Sequence, residues 1–123
     1  MKILEETLRL KDIQYDLKFS MAYNKTRLNS FGCELCFVGK EIICVVADYE
    51  MEPLGRQSLL DKLVEKPVPF QPWSIEVSEV VECKRTGLLG LLITLDDGTE
   101  VRFSNVGRRK RTAIAEAIEE RKK

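Results

Sequence analysis

The sequence predicts a mainly β, α+β fold: a small antiparallel bent sheet or half-open barrel of about seven strands, closed by one amphipathic C-terminal helix. Three observations lead there. Apolar residues alternate with period two over most of the chain, the pattern of strands with one wet face. "DDGT" near the end is a hairpin turn, because Asp-Gly readily takes positive φ. The closing "GRRKRTAIAEAIEERKK" instead carries Ala113, Ile114, Ala117 and Ile118 at helical spacing, which puts a helix near 107–122. A narrow Ala/Ile stripe is a suitable lid for the buried face of a small sheet.

Taken in order, the first ten residues satisfy two patterns. Met1, Leu4 and Leu8 have helical spacing, whereas "ETLRL" alternates and would form a hairpin turning at Lys11-Asp12. Ile13, Tyr15, Leu17, Phe19, Met21 and Tyr23 make the clearest strand. "NKTRLNSFG" is a loop by composition, and "CELCFV" and "EIICVVA" flank "GK" as two strands about a tight turn. An insertion at 51–73 follows, with a short helix near 58–66. Ser58 can cap it, Leu59, Leu60, Leu63 and Val64 form its apolar face, and Pro67 follows its end. "PVPFQPW" is extended, since each proline disfavours helix in the residue before it. "SIEVSEVVECKR" alternates through Ile75, Val77 and Val80, "GLLITL" is a more fully apolar strand, and "EVRFSNV" returns with Val101 and Phe103 on one face.

Composition bounds the function. A chain of 123 residues fits one domain, 1–123, and buries roughly two thirds of its unfolded surface without staples. Its 20 basic and 20 acidic residues cancel, which argues against a surface devoted throughout to nucleic acid or membrane; an anion site must be a local patch. The absence of histidine removes the commonest general base and metal ligand, and neither G-x-S-x-G nor a P-loop occurs, so no enzyme is expected. Glu5, Glu6 and Arg9 interrupt any secretory apolar run, and no stretch nears the ~18 apolar residues of a membrane span. The expectation is a cytoplasmic protein without a transmembrane segment, its cysteines reduced.

"GCELCFVGKEIICVVAD" resembles the paired strands of GRAM and bacterial PH-like domains, and "SIEVSEVVECKRTGLLGLLITLDDGTEVRFSNVGRRKRTAIAEAI" is similar to their C-terminal half. The resemblance spans about Ile13 to Ile118 and implies a PH-like barrel with a terminal helix; the insertion at 51–73 departs from the compact pattern. That superfold hosts lipid binding, peptide binding and scaffolding, so fold alone does not fix function. The resemblance also implies a headgroup site built here from Lys11-Asp12, Gly39-Lys40-Glu41 and Asp96-Asp97-Gly98. These are mixed to acidic and would repel a polyphosphate.

Four cations, Arg108, Arg109, Lys110 and Arg111, open the final helix, where the positive end of the dipole already sits. In a PH-like arrangement Lys84 and Arg85 of "CKRTG", and Lys25 and Arg27 of "NKTR", fall near the same end. Together they would hold nucleic acid or an acidic membrane; the plain alternative is a solvated face neutralised by nearby carboxylates. "CELC" has metal-ligand spacing that Cys44 and Cys83 could complete. Against this, Cys33 and Cys36 stand within a strand, where positions i and i+3 face opposite ways. Phe70 and Trp73 either present an anchor to a partner or seal the core. The leading expectation is a non-catalytic interaction module without cofactor, binding a protein partner or forming a homodimer, since strands such as "EIICVVA" invite edge pairing. Anionic-ligand binding through the basic patch is the alternative.

Overall fold

Three residues set the shape of the sheet. In the computed structural model, which describes residues 1–25, 30–47 and 70–123, eight antiparallel strands form one sheet. They are β1 (Lys2–Ile3), β2 (Leu17–Asn24), β3 (Ser30–Val38), β4 (Glu41–Val46), β5 (Trp73–Glu76), β6 (Val80–Thr86), β7 (Gly90–Leu95) and β8 (Glu100–Ser104). Their order is β1-β5-β4-β3-β2-β8-β7-β6. From β5 to β6 a flat sheet would span about 29 Å at ~4.8 Å per strand. The chain joins them through Val77–Glu79 alone, and from Glu76 to Val80 it reaches about 14 Å at most. The sheet therefore rolls into a bent, unclosed barrel. The expected fold class is the observed one, with the two-residue β1 added at an edge. The expected helix near 58–66 lies outside the described residues, as does Arg27.

The rolled sheet encloses one apolar core. Cys33, Leu35 and Phe37 of β3 face inward, beside Ile42 and Cys44 of β4 and Leu91, Ile93 and Leu95 of β7. Ala22, Cys36 and Val45 are also buried, on the other face of the sheet. The N-terminal segment crosses that outer face: the Leu4 N–H donates to Pro72 O (2.9 Å) at one end, and the Asp16 N–H to Phe37 O (2.8 Å) at the other. Its Leu8, Leu10 and Ile13 are half-buried. "ETLRL" is thus no hairpin partner of β2, which pairs with β3 and β8. Local bonds decide this: the Arg9 N–H donates to Asp12 Oδ2 (3.0 Å) and the Arg9 guanidinium to Glu6 O (2.7 Å), closing a 3-10 turn at Leu10–Asp12.

A second difference lies at "SIEVSEVVECKR", expected as one strand. It divides into β5, a 3-10 turn at Val77–Glu79, and β6. Val77 and Val80 are both buried, a spacing of three that no straight strand can satisfy. This is the corner that rolls the sheet. A third difference concerns self-pairing. "EIICVVA" is β4, hydrogen-bonded on both sides by β3 and β5, so it offers no free edge.

The helix α1 (Arg108–Lys122) lies across the gap beside β6 and the Val77–Glu79 turn. Ile114, Ala117 and Ile118 enter the core, while Ala113 is half-buried. Its C-terminal end is fixed by Arg121, whose guanidinium stands 5.0 Å over the Phe37 ring and 3.9 Å from Asp16. No described helix is long and apolar enough to cross a membrane.

Candidate anion-binding groove

The β6–β7 hairpin turns at Gly87, where φ is +64°. Its tip is tied to the chain entering α1: the Val106 N–H donates to Leu89 O (2.9 Å) and Arg111 Nη1 to Leu88 O (2.6 Å). These bonds set the end of β6 against the first turn of the helix. A shallow groove of about 290 Å³ runs between them, lined by Lys84 and Arg85 from β6 and by Arg108 and Arg111 from α1, with Leu91 and Thr112 also on its walls. Four cations from two elements thus share one surface.

The four helix-opening cations divide into two kinds. Arg111 also donates to Val106 O (3.3 Å), and Lys110 Nζ donates to Ser20 O on β2. These two are half-buried and brace the helix against the sheet. Arg108 and Arg109 are exposed, as are Lys84 and Arg85, and none of the four has a side-chain hydrogen bond or ion pair among the described residues. Glu116 shares a neighbouring depression with Arg108 and Arg109, yet it pairs with neither. The first turn of α1 contains no acidic residue, and Gly107 gives it no side-chain cap. Four like charges are held together with no carboxylate paired to them among the described residues. That raises the local potential and favours an anion.

Lys25 does not join this group. Lys110 meets β2 at Ser20, and Lys25 follows five residues on, about 17 Å along a strand. Of the three implied headgroup segments, two converge and the first does not form the expected loop. Lys11-Asp12 belongs to a 3-10 turn rather than a hairpin. Gly39–Glu41 and Asp96–Gly98 both meet the Val77–Glu79 corner, where the Val77 N–H donates to Lys40 O (2.9 Å) and the Asp96 N–H to Glu79 O (2.8 Å), so that corner carries Lys40 together with Glu41, Asp96 and Asp97. Asp97 serves its own turn: the Thr99 side chain, and then the Thr99 N–H that donates to it (2.8 Å), hold its carboxyl below the ordinary carboxylate range.

The aromatic anchor and the metal set are likewise redistributed. Trp73 is 1 % exposed and packs edge-on against Tyr23, with ring centroids 5.4 Å apart. Phe70 is half-buried against Tyr23 and Phe31. Both seal the core, each packing its ring against Tyr23. Cys33 and Cys44 are in the inner core, Cys36 is buried on the outer face, and Cys83 is half-buried on β6 beside the groove. Opposite faces cannot supply one coordination shell, and the described residues contain no cluster fit for a metal ion. Burial pushes the Cys36 thiol up to about 12, helped by Glu34, and the Cys83 thiol up to about 11. Burial and the nearby Cys33 likewise raise Cys44 well above an ordinary thiol.

The residues missed in the sequence are Leu88 and Leu89. They precede the expected strand "GLLITL" and belong to no expected element, yet they form the hairpin tip and are 82 % and 54 % exposed. The signal was available in "GLLG", where glycines on both sides mark a turn. No known protein family, curated protein or solved structure matches the chain.

Proposed function

We propose that this chain is a non-catalytic binding module that holds an anionic, phosphate-bearing partner in the groove between β6 and α1. The observation that carries this is the meeting of Lys84, Arg85, Arg108 and Arg111 on one surface, with no carboxylate paired to any of them among the described residues. The rolled antiparallel sheet with its terminal helix supports the PH-like or GRAM-like reading of the resemblance. Self-association has weaker support. β4 is internal, and the edge strand β6 carries an irregularity between Val80 and Glu82 and exposed lysine and arginine, features that discourage edge pairing.

A soluble polyanion tests the groove. Affinity for a labelled inorganic polyphosphate should fall with rising salt, log K against log salt having a slope of about −2 to −3 for three or four phosphate contacts. The double substitution Arg85→Glu/Arg108→Glu should abolish binding, while Lys25→Glu should leave it nearly unchanged. Salt-insensitive binding, or equal loss in the Lys25 variant, would refute the groove as the site.

A further inference from the structure

The groove's upper wall ends in the most exposed large apolar side chain among the described residues. Leu88 is 82 % exposed and its neighbour Leu89 is 54 % exposed. Single exposed leucines are ordinary. This pair differs in three ways. It occupies a convex tip, since Gly87, Leu88 and Leu89 are all exposed between the paired ends Thr86 and Gly90. The tip is fixed, because Leu88 O and Leu89 O both accept hydrogen bonds from the helix-entry segment and Arg111. Lys84, Arg85, Arg108 and Arg109, which have no ion pair among the described residues, stand on the two elements that meet there.

We propose that this tip docks the protein on an anionic lipid surface, with Leu88 and Leu89 entering the interface and the cations meeting lipid phosphates and carboxylates. The inference rests on the anion-binding reading of the groove and names its ligand. A convex apolar point gains burial by entering acyl chains, whereas a protein or nucleic acid would have to provide a matching apolar cavity. Partial insertion of apolar side chains combined with attraction to acidic headgroups is how peripheral surfaces hold membranes when neither contribution suffices alone. With no net charge on the whole chain, the cluster also orients the molecule, turning this end toward a negative surface.

Vesicle flotation tests it, using phosphatidylcholine alone and phosphatidylcholine mixed with phosphatidylserine. The wild-type chain should float with the mixed vesicles only. Leu88→Ser/Leu89→Ser should weaken partitioning about tenfold or more, with an unchanged melting temperature because both side chains are exposed. Each charge removed by Arg85→Gln or Arg108→Gln should weaken it about fivefold. As a second readout, the indole introduced by Leu88→Trp should shift its emission to the blue on mixed vesicles and be quenched by brominated acyl chains. Placing that substitution in a Trp73→Phe background leaves the introduced indole as the single emitter. Polyphosphate binding without flotation, or flotation indifferent to the leucine substitutions with the introduced indole unquenched, would overturn membrane docking and leave the groove reading intact. Failure to bind either polyphosphate or vesicles would overturn both.

Discussion

Trp73 shows how one residue carries packing and a polar cost together. Its ring is at the centre of an aromatic group with Tyr23 and Phe103, and its indole N–H has no hydrogen-bond partner among the described residues. Trp73→Ala should therefore cost about 3–5 kcal/mol of stability in urea unfolding. Trp73→Phe should cost far less, because it keeps an aromatic ring and removes the buried unpaired donor. The thiols give a pH prediction. In the folded chain Cys36 and Cys83 titrate near 12 and 11, above the ordinary value of 9.0. The folded state thus retains protons that the unfolded chain releases. The resulting stability is fully present below about pH 9 and is lost as pH rises through the two folded values. Cys36→Val should flatten the alkaline fall in the urea midpoint. At this scale the sequence was readable where a residue's chemistry has one usual fate, as for buried cysteine. It was not readable for Trp73, because exposure depends on what the next strand brings beside it.

Among the elements, the β6–β7 hairpin and α1 depend on each other. A Cβ at Gly90 would run into the carbonyl and hydroxyl of Thr86, so Gly90→Ala should open the tip and lower the melting temperature. The same change at Gly107, which has open space around it, should be nearly neutral. Arg111→Ala should loosen the tip and weaken polyphosphate binding, although its guanidinium is largely committed to the Leu88 and Val106 carbonyls. Ile114→Ala should cost about 2–5 kcal/mol by leaving a cavity beneath the lid. The terminal helix and the "DDGT" turn were legible because local rules govern them. Helical spacing fixed the buried face to within one side chain, and Gly98 has the positive φ, +90°, that the turn requires. The break at Val77–Glu79 was harder to see, because "SIEVSEVV" satisfies a strand pattern until Val77 and Val80 must both be buried.

At the scale of the molecule, the rolled sheet of the described residues has two edges, the very short β1 and the irregular, cation-bearing β6. Light scattering at tens of micromolar should accordingly give the mass of one chain; a doubled mass that survives Arg85→Glu would contradict this account of β6. The sequence by itself determined the antiparallel, helix-capped class, since alternation, turn chemistry and helical spacing are properties of neighbouring residues. It also determined that any anion site is local, because the opposite charges cancel in number. Only the tertiary structure decided which cations meet. The short corner after β5 rolls the sheet and sets β6 beside the helix, so Lys84 and Arg85 reach Arg108, while Lys25 stays at a distance along β2. Contacts between residues far apart in the chain depend on how the sheet closes, and no local pattern encodes that closure.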